Sequence, residues 1–344
     1  MKQFSERLKS ARKMKGWSFQ DMVNHLSISI SKQALHKYET GKMFPSGDVL
    51  VAIANALGVK PNYLLKESTF HLPQVEFRKK SRLGKKEIEQ IKEKVRDFLE
   101  RYLETEQLLN LDIKFTNPIK GFKITSIDDV EPAAIKLMQC WNLGLDPIPN
   151  VIEMLEENAV RVIEIDASAQ FDGLSTYVGE IPVVVLSKNF SIERKRFTAL
   201  HELGHLVLNI GSEVDKEKLC HAFAGAMLLP ADALEKRVGD KRSNIARGEL
   251  VSLKEEFGIS LQAIMKRAEL KGIIDKNKAQ QFWRSMSSNK KEKGLGQYCG
   301  QERSFRFEHL VFRLAAEEIV SLSKASNLAG MKLAEFRDKL DAIN

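Results

Sequence analysis

The chain has 344 residues, more than one ordinary hydrophobic core accommodates, which predicts two or three domains. Hydrophobic residues make up 43% and charged residues 29%, as in ordinary globular proteins. No apolar run approaches the length that spans a bilayer, and the polar N-terminus lacks the apolar stretch of a signal peptide, so we expect no membrane association.

The positive charge is concentrated at the N-terminal end. The formal net charge is +8, and residues 1–66 contain eleven Lys or Arg against four Asp or Glu, which leaves the other residues nearly neutral. A basic excess confined to one small segment indicates a module that binds a polyanion.

The three cysteines, Cys140, Cys220 and Cys299, have no paired spacing. A sparse, odd number of cysteines argues against a disulfide framework and for a reducing compartment. We therefore expect the protein in the cytoplasm.

Residues 1–66 are predicted to form a small domain of five short helices. Serines at positions suited to N-caps precede the second, third and fourth helices, and a proline begins the last: Ser18, Ser31, Ser46 and Pro61. The second and third helices, 19–26 and 32–38, form a candidate helix-turn-helix, the arrangement that places a recognition helix in the DNA major groove.

The third helix has two faces of different character. Leu35 and Tyr38 share one side, which we expect to pack inward. The opposite side can reach base edges and phosphates, and Gln20 at the start of the second helix can bond a further phosphate. The predicted DNA contacts are therefore Gln20, Lys32, Gln33, His36 and Lys37. The alternative is a helical bundle whose basic face is merely solvated.

The runs 31–42 and 52–59 resemble phage-repressor-type helix-turn-helix domains. This resemblance implies binding to double-stranded DNA, and a homodimer is expected because such domains often bind two-fold sites. The sequence departs from the pattern in the turn 27–30, which is about two residues longer than usual.

Residues 67–110 are predicted to be a helical connector. A basic run at 77–82 is interpreted as a solvated face rather than a DNA contact. A long helix follows, from about Lys85 to Leu109, with apolar residues at helical spacing.

Residues 111–235 contain the segment to which we assign the chemistry. Two extended stretches, 160–165 and 181–187, predict a mixed or antiparallel sheet beside helices. Tyr177, in the intervening loop, is a candidate donor to an oxyanion, although a packed or exposed tyrosine is the favoured interpretation.

A helix capped by Ser191 carries the motif His201-Glu202-Leu203-Gly204-His205. Histidines at i and i+4 lie on one face of a helix, so both imidazoles can reach one ion, and Glu202 beside the first of them can act as a general base. This is the zincin arrangement, in which a zinc ion activates water for attack on a peptide carbonyl. The alternative is a pair of ordinary surface or core histidines.

A zinc site needs a third protein ligand. The next predicted helix, Lys216 to Leu229, places Glu217 and His221 on one face, a short loop beyond the motif. Either side chain can therefore return to the ion.

The runs 194–205, 217–224 and 228–230 resemble the ImmA/IrrE family of metallopeptidases. The resemblance implies that Glu217 is the third zinc ligand, beside His201 and His205, and that the domain is a zincin-like metalloendopeptidase. His221 stands where the family commonly has asparagine, which keeps it as an alternative ligand.

Residues 236–344 are predicted to be helical, with an exposed loop at 285–297 and without chemistry of their own. The predicted fold class is thus α+β and mostly helical. It comprises an all-α helix-turn-helix domain (1–66), the connector (67–110), a metallopeptidase core with a small sheet (111–235) and a helical C-terminal region (236–344).

The sequence therefore predicts a regulatory zinc metallopeptidase with a DNA-binding domain. The family resemblance implies a protein substrate such as a transcriptional repressor, cleaved to release a stress or mobile-element response. The alternative is a DNA-binding transcriptional regulator or antitoxin-like protein whose zinc site is structural or inactive. The intact Glu202 favours the peptidase, because a purely structural zinc site needs no adjacent base.

Overall fold

The computed structural model describes residues 2–66, 83–168 and 170–342. The basic run at 77–82 and the first part of the predicted connector therefore lie outside the described residues. Contacts divide the described chain into two compact units. The first comprises residues 2–66, 83–112 and 307–342, and the second comprises residues 113–168 and 170–306. The linear division at residues 66, 110 and 235 stays a prediction.

The described elements follow in chain order. The first six helices are α1 (Lys2–Lys15), α2 (Phe19–His25), α3 (Lys32–Glu39), α4 (Gly47–Leu57), α5 (Pro61–Leu65) and α6 (Lys85–Leu108). Next come β1 (Lys123–Ile124), α7 (Val130–Cys140), α8 (Val151–Glu157), β2 (Arg161–Ile165), β3 (Leu174–Val178), β4 (Ile181–Ser187), α9 (Ile192–Val207), β5 (Asn209–Ile210) and α10 (Lys216–Leu228). The last are α11 (Ala231–Val238), α12 (Arg247–Phe257), α13 (Leu261–Leu270), α14 (Lys276–Ser285), α15 (Arg306–Ala316), α16 (Leu322–Ala329) and α17 (Leu333–Asp341). The mostly helical fold class with a small sheet is confirmed.

Serine caps fix the starts of α2 and α3, as the sequence predicts. The Ser18 hydroxyl accepts a hydrogen bond from the Asp21 amide, and the Asp21 carboxylate accepts one from the Ser18 amide. Two backbone amides that have no partner within the helix are thereby hydrogen-bonded. Ser31 accepts from the Ala34 amide at the start of α3. The five helices enclose a core of their own that includes Leu8, Met22, Leu35, Ile53 and Leu57.

The long helix α6 joins this helical domain to the last three helices within the first unit. Buried Arg7 of α1 forms a bidentate ion pair with buried Glu100 of α6. On another side of α6, Tyr102 packs in a separate core with Phe307 and Phe336. The first unit therefore assembles from segments that are far apart in the sequence.

The second unit holds a mixed three-stranded sheet of order β2-β4-β3. Strand β4 pairs in parallel with β2 and antiparallel with β3, which leaves β3 at one edge. A second, two-stranded sheet pairs β1 with β5 in parallel. Of the two predicted arrangements, mixed or antiparallel, the sheet has the mixed one. The strands β1, β3 and β5 and the helices α7, α8, α11, α14 and α16 are not predicted from the sequence.

The stretch 285–297, predicted to be an exposed loop, contains a buried charged residue. Buried Glu292 accepts a hydrogen bond from Lys254 and caps the start of α13 by accepting from the Leu261 and Gln262 amides. A charged residue in a Lys- and Ser-rich stretch thus serves as a helix cap, which composition alone does not reveal.

A buried ion pair ties four segments of the second unit together. Arg196 of α9 and Glu302 both have side chains with 0% exposure, and their charged atoms lie 2.8 Å apart. The guanidinium also donates to the carbonyl oxygens of Ile148 and Phe257, while Glu302 accepts from the Ile152 amide. The network holds α9 against α8 and the end of α12.

None of the helices in the described part of the chain is both long and apolar enough to cross a membrane. The cytoplasmic location stays a prediction.

We predict that Glu302→Gln lowers the free energy of unfolding by about 3 kcal/mol, because it leaves the Arg196 charge buried without a counter-charge. Glu317→Gln is the matched control, since its ion pair with Arg313 is exposed and is expected to contribute less than about 1 kcal/mol. Urea unfolding of the full chain measures both. Equal decreases in the free energy of unfolding for the two variants would show that the buried ion pair contributes no more than the exposed one.

Candidate functional site

Helix α9 buries its polar motif beside its apolar stripe. The Ser191 hydroxyl caps the helix by accepting from the Arg194 amide. Leu200, Leu203 and Val207 are buried, and His201 and Glu202 lie next to them with only 8% and 7% exposure. Two ionisable side chains in such positions need partners, because burial of unpaired polar groups is costly.

The side chains of His201, His205 and Glu217 converge on one point. The two histidine Nε2 atoms lie 3.2 Å apart. The carboxylate oxygens of Glu217 lie 3.4 Å from Nε2 of His201 and 3.5 Å from Nε2 of His205. One ligand atom from each residue lies within 4.8 Å of the others, so the three can hold a metal ion.

The start of α10 places Glu217 in this group. Asp215 caps α10 by accepting hydrogen bonds from the Glu217 and Lys218 amides, which fixes Glu217 in the first turn. Lys216 donates through Nζ to the carbonyl oxygen of His205, 3.3 Å away. The end of α9 and the start of α10 are thereby held together.

Gly204 lets the two helices approach closely. A Cβ atom at this position would lie 3.2 Å from Cδ1 of Phe223 and 3.3 Å from the side chain of Cys220, both on α10. A larger side chain would push α10 away and would carry Glu217 with it. The close packing of α9 on α10 therefore explains why the motif contains a glycine at position 204.

The donor set fits a metal ion of the kind that binds nitrogen and oxygen. Burial, with the neighbouring His221 and His205, lowers the pKa of His201 to about 3, so its imidazole is neutral and offers a lone pair. Its other nitrogen, Nδ1, is buried without a hydrogen-bond partner. Two imidazoles and a carboxylate match the ligands of zinc sites with an open position.

His221 lies beside this group without joining it. Its ring packs against the His201 ring at a centroid distance of 4.2 Å and against Phe197 at 5.9 Å. The convergent donors are those of Glu217 instead. The choice of Glu217 over His221 as a ligand stays a prediction about binding.

Glu202 is held in an environment that favours its neutral form. One of its carboxylate oxygens accepts a hydrogen bond of 2.6 Å from Ser175 of β3. Burial raises the pKa of Glu202 to about 7, with further contributions from the negative charges of Glu217 and Asp172, while the Ser175 hydrogen bond opposes the rise. A carboxyl group with such a pKa can both take up and release a proton near neutrality.

Gly173 brings the start of β3 close to α9. Its φ of +99° lies in the region that favours glycine, and a Cβ there would lie 2.5 Å from Cγ2 of Thr198 and 3.5 Å from Oε1 of Glu202. The loop can therefore deliver Ser175 to Glu202 only with a glycine at this position.

Two contacts of the site were not predicted. Ser175 lies 27 positions before Glu202 in the sequence. Cys220, predicted to be a core residue, is indeed buried, but its sulfur also lies 3.5 Å from Nδ1 of His205. Neither contact follows a local spacing rule, so no signal in a single sequence identifies them. Burial raises the pKa of the Cys220 thiol to about 12, which keeps it protonated.

Tyr177 lies in strand β3 and not in a loop. Its hydroxyl donates to the carbonyl oxygen of Leu206, 3.2 Å away, and 39% of the residue is exposed. This supports the interpretation of a packed or exposed tyrosine over that of an oxyanion donor.

The predicted DNA contacts are exposed on α2 and α3. Leu35 and Tyr38 of α3 are buried, and the polar residues on the other side are exposed. These exposed residues are Lys32, Gln33, His36 and Lys37 of α3 and Gln20 of α2. Gln20 donates to Asn24 one turn later, and the His36 ring meets Phe19 edge-on at 5.7 Å. The roles of these residues in binding stay predictions.

Comparisons with known proteins agree with both parts of the predicted resemblance. Residues 5–68 match the family model of a helix-turn-helix domain, and residues 155–269 match that of the IrrE N-terminal-like domain, in peptidase family M78. Over 63 residues the chain is 44% identical to the SPbeta prophage-derived uncharacterized HTH-type transcriptional regulator YonR of Bacillus subtilis (strain 168). That similarity covers 18% of this chain and 56% of the relative.

Proposed function

We propose that this chain, which joins a helix-turn-helix DNA-binding domain to an IrrE-like domain, is a regulatory zinc metallopeptidase. The observation that carries the proposal is the convergence of His201, His205 and Glu217 next to the buried carboxyl group of Glu202. Three ligands with an adjacent base are what a catalytic zinc site requires, whereas structural sites close with four protein ligands.

The three convergent residues would hold the zinc. When bound, zinc supplies Lewis acidity, which polarises a peptide carbonyl and makes water more acidic. The chain contributes the neutral imidazole of His201, which leaves the positive charge of the ion in place, and the carboxylate of Glu217 on a capped helix start, which fixes the third ligand.

Glu202 would move the protons of the reaction. It takes a proton from the attacking water while the water oxygen forms a bond to the peptide carbon, and it returns the proton to the amine nitrogen as the C–N bond breaks. Ser175 occupies one carboxylate oxygen, which orients the other toward the proton that it transfers.

The DNA-binding domain points to the substrate class. A peptidase linked to a repressor-type domain fits a protein partner in transcription, such as a repressor, and a cytoplasmic location. The alternative is a transcriptional regulator or antitoxin-like protein with an idle zinc site. The similarity to an HTH-type transcriptional regulator, which covers 18% of this chain, favours this second function.

We expect the full chain to bind a single zinc ion and Glu217→Ala to lose it, because two imidazoles alone leave the ion without its third ligand. His221→Ala is the matched control, since it removes the neighbouring ring on the same helix face and is expected to retain zinc. Elemental analysis after dialysis measures both. If only His221→Ala loses zinc, the third ligand is His221 and not Glu217.

We expect Glu202→Gln to retain zinc, folding and DNA binding while proteolysis falls about a thousandfold, because the amide cannot accept the proton. The measurement is a comparison of newly formed protein N-termini in cells that express the wild type or the variant. If Glu202→Gln produces the same cleavage and the same regulation, the regulator with an idle site is the correct account.

We expect the double variant Gln33→Ala and Lys37→Ala to weaken sequence-dependent DNA binding and to lower the slope of log affinity against log salt by about one, as one phosphate contact is lost. The control is Lys276→Ala with Gln280→Ala, an exposed pair with the same spacing on α14. Fluorescence anisotropy with selected operator DNA measures both. Unchanged binding in the α3 variant would contradict the docking of this face on DNA.

A further inference from the structure

The segment 284–293, which begins at the end of α14, concentrates exposed positive charge in the second unit. It contains one arginine, three lysines and a single acidic residue, Glu292, which is buried. The four cationic side chains are exposed, and we call them the basic turn: Arg284, Lys290, Lys291 and Lys293. The segment lies outside residues 155–269, the part of the chain that matches the IrrE-like family model.

Hydrogen bonds to α13 hold the backbone of this segment in place. The Glu292 carboxylate accepts from the Leu261 and Gln262 amides at the start of α13. The Gln262 side chain in turn donates to the carbonyl oxygen of Lys290, 2.9 Å away. Glu292 has a φ of +52°, which residues other than glycine seldom adopt, so these bonds fix a conformation that a free loop rarely takes.

Asn289 closes the turn from within. Its side-chain oxygen accepts a hydrogen bond from the Lys293 amide at 2.9 Å, and its side-chain nitrogen donates to the Lys293 carbonyl oxygen at 3.0 Å. The Asn289 amide donates to the carbonyl oxygen of buried Met286. Three lysines thus extend from one closed turn, within four positions of the sequence.

The charges of the basic turn are not neutralised by neighbouring carboxylates. On α13, by contrast, Lys266 pairs with Glu269 at 2.7 Å. In the described part of the chain, none of the ion pairs involves a cation of the basic turn. Asp275, shortly before the segment, is committed to the cap of α14, where it accepts the Asn277 and Lys278 amides. A rigid group of like charges without counter-charges favours an anionic partner.

The composition of the segment fits a phosphate backbone better than a lipid bilayer. Met286 is its one large apolar residue and is buried, so the segment has no exposed side chain to insert among acyl chains. Lysine and arginine are the usual contacts to the phosphates of DNA. The same chain carries a helix-turn-helix domain at residues 5–68, and DNA bound there is at a high local concentration for any second contact.

We propose that the basic turn is a second DNA-binding surface, which contacts the phosphate backbone of duplex DNA without reading its sequence. It adds a non-specific contact in the second unit to the sequence-dependent binding expected of α3. The two contacts together hold the protein on DNA more tightly than either does alone. The inference does not depend on the peptidase, because none of the proposed metal ligands takes part.

The test is the salt dependence of DNA binding by the full chain in which Lys290→Ala, Lys291→Ala and Lys293→Ala are combined. Each lost phosphate contact lowers the slope of log affinity against log salt by about 0.9, so we expect a decrease of about two to three. Fluorescence anisotropy measures binding to duplexes several helical turns long, one with the selected operator and one with its sequence scrambled. At low salt the affinities for both should fall at least about tenfold, while their ratio stays unchanged.

The matched control removes the same charge from three exposed lysines elsewhere in the second unit, and its slope and affinities are expected to stay near those of the wild type. These lysines are Lys188, Lys236 and Lys241. Replacing the three lysines of the basic turn by arginine preserves the charge and should preserve binding. Replacing them by glutamine measures the same loss if the alanine variant does not fold.

The start of α14 lies outside the basic turn. Lys276 is eight residues before Arg284, which corresponds to about 12 Å along the helix axis. The variant Lys276→Ala with Gln280→Ala therefore leaves the basic turn intact and remains a valid control for α3.

An unchanged slope in the alanine variant, an equal loss in the charge-matched control, or a loss confined to the operator duplex would overturn the inference. A larger loss of binding to an RNA hairpin or to phosphatidylglycerol vesicles than to duplex DNA would also overturn it and would assign the turn to that partner. A parallel loss for both duplexes, restored by arginine, supports the second DNA-binding surface.

Discussion

The close packing of α9 on α10 is the constraint on which the site depends. Two histidines on a single helix already face one point, but the third donor must come from another element. Gly204 permits the short distance between the helices, and Asp215 and Lys216 fix where α10 begins. If Glu217 were displaced by about one ångström, the three donors could no longer bind one metal ion, since metal–ligand distances tolerate deviations of about 0.2 Å.

Two side chains contact the polar residues of α9 from opposite sides. Ser175 reaches Glu202 from the edge strand β3, and Cys220 reaches His205 from α10. In metalloenzymes, contacts of this kind orient the side chains around the metal, and their loss commonly reduces affinity or activity 10- to 100-fold. The buried ion pair of Arg196 and Glu302 lies farther from the site and fixes the position of α9 itself.

The sequence predicted well what depends on local patterns. The Ser18 and Ser31 caps, the long helix α6, the helix of the metal motif and the strands β2 and β4 all have signals within a few residues, and the structure contains them. Ser46 stands at the start of α4 as predicted, but its side chain makes no capping hydrogen bond. Glu217 was predicted from a helix face and a family resemblance, and the structure brings it to His201 and His205. Contacts between distant residues, such as Ser175 with Glu202, have no local signal and were missed. The assembly of α6 with the last helices was missed for the same reason, because it depends on tertiary packing.

The order of segments in the first unit has a consequence for how the protein is made. This unit uses residues from the beginning, the middle and the end of the described chain, with the whole second unit lying between residues 112 and 307 of the sequence. On a ribosome, the partners of Tyr102 in α15 and α17 emerge only after the second unit has been synthesised. The α1–α5 bundle has its own core and can form early, but the rest of its unit must wait for contacts of high sequence separation, which slow folding. The second unit can thus finish folding before the first, because the first stays incomplete until α15 to α17 have been synthesised.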